Sequence, residues 1–259
     1  MVSMSKSSCA KSDQAKTKRA WRGRWGLAGL LVLLFSAAAL SRWSHSPTLR
    51  PWVTIPAGAY ALPFGAEESI FETAGFRIQR TETTVAQFVR FLNRTRPTAI
   101  FDSPQISFER GRYRAQVSRR KPVAYVTYAD AVAYAEWRSQ ARRRPVRLPT
   151  AYEWELAARG LNHAIPYPWG WALPDERAQF DTDYMTAVAQ FAPNPLGLFD
   201  MAGNVAEWTL AADHSSDVTF AMGGSWAERD PDLLTVNRRT PFMKTYRDAD
   251  VGFRLIEPR

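Results

Sequence analysis

Hydrophobic and polar positions divide the chain into stretches of different texture. Gly26 to Leu40 (GLAGLLVLLFSAAAL) is apolar on every side and carries no charge. From Trp52 onward the pattern becomes periodic. Trp52 to Tyr60 and Phe76 to Arg80 alternate with period two, which predicts short strands. Three helix starts then share one chemistry: a threonine hydroxyl that can accept from a free backbone N–H, and an acid or amide three residues later that can return the bond. Thr84 with Gln87 opens VAQFVRFLN, Thr127 with Asp130 opens ADAVAYAEWRSQ, and Thr150 with Glu153 opens YEWELAAR, with Gly160 as the expected stop. Beyond Gly160, prolines and glycines interrupt the chain every few residues and no long period survives. That half is predicted to be loop and short strand. It needs anchors, because buried backbone groups must find partners and ordering each residue costs about 1 to 2 kcal/mol. Trp169, Trp171, Phe199, Trp208, Trp226 and Phe253 are apolar anchors, and metal ions are a second source of cross-links.

With 46% hydrophobic residues among 259, the chain is rich enough to build a core and is not a disordered protein. Its net charge of +9 is unevenly spread. Residues 1–25 hold seven basic side chains against Asp13, a net +6, which leaves +3 for everything after. A basic tail before an apolar run is an export signature, with the positive flank inside. Fifteen residues at about 1.5 Å each fall short of a ~30 Å hydrocarbon core, although Trp25 to Trp43 nearly spans it. Small residues at the end of the run (Ala37, Ala38, Ala39) fit a cleavable signal peptide. Trp21, Trp25 and Trp43 fit a retained anchor with an interfacial belt. Both readings put the domain outside the cytoplasm: 1–25 is a cytoplasmic tail, 26–43 the anchor or signal, 44–51 a linker and 52–259 the domain. The expected location is the inner membrane, single-pass with a periplasmic domain, or the periplasm after cleavage. The chain's one cysteine, Cys9, lies in the tail, so the exported part has neither disulfide nor thiol.

Five ordered blocks carry a family likeness: RLPTAYEWELAARG (Arg147 to Gly160), YPWGW (Tyr167 to Trp171), NPLGLFDMAGNVAEWT (Asn194 to Thr209), MGGSW (Met222 to Trp226) and GFR (Gly252 to Arg254). Together they resemble the formylglycine-generating enzyme, or sulfatase-modifying factor, family. PVAYVTYADAVAYAEW, TETTVAQFVRFLN and VTIPAGAY resemble its earlier elements, so the likeness runs from about Trp52 to the C-terminus. It implies a loop-rich α+β domain with a C-type-lectin-like core, here following an N-terminal membrane-targeting helix. Trp154, Leu156, Leu198, Trp208 and Phe253 are expected in the core. Arg147 and Arg254 are expected to be charge partners of nearby carboxylates, with Glu153 a candidate.

The oxidase branch of the family uses paired cysteines after the GGS block to bind copper and pass electrons to oxygen. Trp226 to Arg254 contains no cysteine, and Met243 cannot replace two thiolates that hold Cu(I), so copper-dependent formylglycine formation is not expected. The sulfoxide synthase branch takes iron on histidines from a helical partner domain, whereas this chain has only His45, His163 and His214. The resemblance also implies calcium in the GNVAE block, with Asn204 and Glu207 giving side-chain oxygens and loop carbonyls completing the shell. A second calcium loop would fall at Gln179 to Asp183, where glutamine replaces the usual asparagine.

The segment matching the family's substrate cleft carries Trp226, Glu228, Asp230, Asn237, Arg238, Arg239 and Arg247. Such a lining suits a peptide or polar small molecule, and Glu228 is the candidate acid or base. Basic clusters at Arg110 to Lys121, on an expected hairpin, and Arg142 to Arg147, at a helix end, lack stacking aromatics in register, so nucleic acid is not the expected partner. Two functions remain. One is an accessory or binding protein of the cell envelope, like relatives in type VI secretion, contacting a protein or peptide partner and tethered through residues 26–43. The other is a maturation enzyme, like the relative acting on the pyoverdine siderophore. A buried Glu228 with a raised pKa favours the enzyme, and an open, flat cleft favours the binder.

Overall fold

A computed structural model describes residues 51–64, 67–161, 165–213 and 215–259. The apolar run at 26–43, Cys9 and all three histidines lie outside these residues. Among the described residues no helix is long and apolar enough to cross a membrane.

The first expected strand is divided. Pro56 has no N–H to donate to a ladder, and the chain breaks there into β1 (Trp52–Ile55) and β2 (Gly58–Phe64). β2 pairs antiparallel with β3 (Glu67–Thr73), and β4 (Phe76–Gln79) returns to pair with β1. α1 (Val85–Thr95) turns Val85, Phe88, Phe91 and Leu92 to the core, one stripe at helical spacing. The hairpin of β5 (Ile106–Glu109) and β6 (Arg112–Ala115) precedes α2 (Tyr128–Arg142) and α3 (Ala151–Ala158). All three helices start on the expected threonines, and each has both bonds of its capping box.

After α3 the regular elements are short: β7 (Ala206–Trp208), β8 (Val218–Met222), a 3₁₀ turn at Pro231–Leu234, β9 (Arg239–Met243), β10 (Val251–Gly252) and β11 (Ile256–Pro258). β11 closes a three-stranded sheet in the order β1-β4-β11, and a second sheet runs β10-β7-β8-β9, with β10 parallel to β7. The C-terminal strand therefore pairs with the first elements of the domain. The architecture is mixed α and β, with few helices.

Two aromatic-rich cores fill the spaces. Phe253 lies 5.4 Å from the Tyr134 ring and 6.3 Å from Phe88, joining α1, α2 and the C-terminus. The other core holds Ile55, Phe76, Ile78, Trp154, Leu156, Leu198 and Ile256. Trp154, Leu156, Leu198, Trp208 and Phe253 are all buried, where the sequence put them.

Candidate functional site

The GNVAE turn is built by a close approach of two loops. A Cβ on Gly203, whose φ is +74°, would stand 2.3 Å from the Gln179 carbonyl oxygen, so only glycine fits. The turn delivers Asn204 and Glu207 into a charged cluster sealed from water. Glu207 accepts from Arg254 Nε and Nη2 at 2.7 Å each, and Trp154 Nε1 donates to it at 2.7 Å. Arg254 Nη2 also donates to the Phe199 carbonyl at 2.9 Å. Asn204 donates to Glu82 Oε1 at 2.8 Å and accepts from the Thr186 amide at 3.0 Å. Burial first, then Asp200 and Glu207, push the Glu82 carboxyl well above the ordinary range, while Arg254 pulls it down. Asp200 is raised by burial as well. Glu82 Oε2 is buried without a hydrogen-bond partner, in the field of the Asp200 carboxyl.

Those partners bear on calcium. The resemblance assigns ligand oxygens to Asn204 and Glu207, yet Glu207 holds a guanidinium with both oxygens and the Asn204 oxygen faces an amide N–H. As paired here, the two side chains do not fit the ion. Gln179 of the second loop donates to Thr182 Oγ1 and the Tyr184 carbonyl at 2.8 and 2.9 Å. Among the described residues, no three His, Cys, Asp or Glu side chains gather to hold a metal.

The cleft segment is divided more sharply than its sequence suggests. Arg239 turns to α3, 3.7 Å from Glu155 and 4.4 Å over the Tyr152 ring. Arg247 leaves in another direction, donating to the Asp102 carbonyl at 2.8 Å and lying over Phe101. Asp230 caps the 3₁₀ turn, accepting from the Asp232 amide, and Asn237 is exposed. What does come together is Trp226, Glu228 and residues the sequence reading omitted: Tyr125, Tyr246, Asp248 and Asp250. Trp226 donates to the Ala249 carbonyl at 3.1 Å and packs in one cluster with Tyr125. The Tyr246 hydroxyl donates to Asp250 at 3.1 Å. Glu228 is half-buried; burial, then Asp250, push its carboxyl up, while Arg238 pulls it down. Burial also raises Asp250, and burial with Asp250 raises Tyr246. Tyr125 holds φ at +57°, a conformation costly for a bulky side chain and frequent at functional sites. Asp250 stands two residues before the GFR block, and that adjacency was the available signal for it.

Residues 38–258 match the sulfatase-modifying factor enzyme 1-like domain. Over 89 residues the chain is 47% identical to the serine/threonine-protein kinase pkn1 of Chlamydia pneumoniae, 34% of this chain and 13% of that one. Over 123 residues it is 35% identical to the inactive C-alpha-formylglycine-generating enzyme 2 of Bos taurus, 41% and 39% of the two chains. The match thus spans well under half the length of either relative. The solved structure of PvdO from Pseudomonas aeruginosa superposes with a TM-score of 0.67 over 80% of this chain and 94% of that one, at 22% identity, a likeness of fold.

Proposed function

Because this chain belongs to the sulfatase-modifying factor family and has no cysteine in residues 38–258, we propose that it is a non-oxidase binding protein whose acidic cluster of Glu228, Asp248 and Asp250 beside Trp226 takes a peptide or protein segment bearing a cationic group. The observation that carries this reading is the crowding of acids. Asp250 and Asp230 stand near enough to Glu228, and Asp248 near enough to Asp250, to push each carboxyl up in addition to burial, with Arg238 opposing at Glu228. Glu228 itself is only half-buried, short of the burial that favours an enzyme. A lysine or arginine side chain from a partner would relieve that repulsion, and Trp226 and the two tyrosines give its aliphatic stem a surface to cover. In this reading residues 1–43 carry the domain to the outer face of the inner membrane, as a retained anchor or a cleaved signal. A phosphatase fused after Arg259 is then active in the periplasm, and a stable but inactive fusion removes that location.

Titration of the full-length protein with lysine-rich and glutamate-rich peptides tests the cluster. The lysine peptide binds more tightly as pH rises, because Glu228 and Asp250 must ionise, and Glu228→Gln weakens it at high pH. Equal binding by the variant overturns the reading. A second reading, a maturation enzyme acting on a peptide or siderophore-type substrate, is favoured by the raised Glu228 carboxyl beside Tyr246, an acid–base arrangement. A mass change in the bound peptide that Glu228→Gln abolishes would select it.

A further inference from the structure

A concave surface lies in the N-terminal half of the domain, on the basic hairpin. β6 places Tyr113 in the core and turns Arg112 and Arg114 to the opposite face, the two-residue alternation of a strand. Asn93 of α1 fastens this strand to the helix, donating to the Tyr113 carbonyl at 3.0 Å and accepting from its amide at 2.9 Å. Between helix and strand opens a groove of about 870 Å³, within the size range of ligand sites. Arg112, Arg114 and Arg119 line it, and Val89, Ala115 and Val117 line it from the core side, half-buried.

None of the three arginines has an ion pair or side-chain hydrogen bond among the described residues. Arg90, Arg94 and Arg96 add three more exposed charges from α1 and its cap. The hairpin's carboxylate, Glu109, accepts from Ser107 and Gln116. Glu109 stands across the ladder from Arg112 without forming an ion pair with it, and the three arginines leave an excess of positive charge that focuses the field on whatever enters the concavity. The groove is also two-sided, cationic along the strand and apolar towards the core. Within the groove lining the one aromatic is Tyr113, which is buried with its hydroxyl accepting from the Phe101 amide. Phe108, half-exposed on β5, packs on Tyr113 outside that lining and is a lone ring, not a stacking platform for nucleic acid. Phosphate groups alone would leave the apolar side uncovered.

We propose that this groove docks an acidic peptide segment of a partner protein, extended, with carboxylates alternating with apolar residues. An extended chain repeats its side chains on one edge about every 6.7 Å, the same spacing as Arg112 and Arg114 on their own strand. One edge of the peptide then meets guanidinium groups, which take carboxylates two bonds at a time, while the other covers Val89, Ala115 and Val117. The site is separate from the acidic cluster beside Trp226 and does not depend on it.

Fluorescence anisotropy with the full-length protein tests the assignment. The labelled probe is a peptide of alternating glutamate and valine; lysine–valine and all-glutamate peptides, tripolyphosphate and anionic phospholipid vesicles are the comparators. The glutamate–valine peptide binds saturably, more weakly at high salt, and at least tenfold more weakly to Arg112→Glu/Arg114→Glu. Arg144→Glu, an exposed charge outside the groove, leaves binding unchanged, and unaltered melting temperatures show that both variants fold. Absent binding, equal binding by the double variant, or equally effective competition by all-glutamate peptide, tripolyphosphate or vesicles overturns the proposal.

Discussion

Arg254 has no contact with water, and its guanidinium bonds are what make that burial tolerable. Removing one partner of such a pair strands a charge and costs about 3 to 5 kcal/mol, so Glu207 and Arg254 must be retained together. Glu82, beside them, is the group whose charge changes with pH. Its folded-state pKa is raised, so its contribution to stability is fully present below the ordinary carboxylate pKa and is lost as pH rises through the raised value. Asp200 has the same sign. The melting temperature should therefore fall as pH is raised from mildly acidic to alkaline. Glu82→Gln is neutral at every pH, so its melting temperature should fall less over the same range. Glu155, Glu228 and Asp250, also raised, leave part of the slope in place. An unchanged slope in the variant would mean that Glu82 is already ionised in the folded protein.

At the scale of elements, the capping boxes are the features that sequence made most legible. Thr84, Thr127 and Thr150 each accept from the backbone N–H three residues on, at 3.4, 3.2 and 3.2 Å. Thr→Ala at any one should cost about 1 kcal/mol in urea unfolding, and pairs should add because the caps share no partner. Strong non-additivity between Thr84→Ala and Thr127→Ala would show that the two helices are not fixed independently. Caps are readable because both bonding groups lie within four residues. The same logic explains what was not readable. β11 depends on Arg147 and Gln79, far along the chain, and its pairing with β4 has no local signature. β3 carries Glu67, Glu68 and Glu72 without a clean apolar alternation, so its hairpin with β2 was hidden. In the cleft segment, Trp226 and Glu228 were legible from their block, whereas Arg239 and Arg247 leave because Glu155 and Asp102, distant in sequence, attract them.

For the whole molecule, the question is what holds a C-terminal half with so little regular structure. In the sequence, the C-terminal half shows too few local donors for its backbone, which leaves room for metal ions as cross-links. The folded chain supplies the donors from long-range side chains. Asn194 donates to the carbonyls of Ala157 and Ala158 at 2.8 and 3.1 Å and accepts from the amides of Leu196 and Leu198. Trp208 Nε1 donates to the Val126 carbonyl at 3.0 Å, and Arg254 reaches the carbonyls of Gln79 and Phe199. These bonds tie the loops to α3, β4 and the strand ends. Calcium bound only by the folded state at a hundredfold over its Kd would add about 2.7 kcal/mol, a shift of roughly 5 to 10 °C for a domain of this size. Because Arg254 already occupies both oxygens of Glu207, we expect melting of the full-length protein to be the same in excess calcium and in excess chelator. A rise of that size with calcium would show that the ion draws Glu207 away from Arg254, and would return the GNVAE turn to the metal role its resemblance implies.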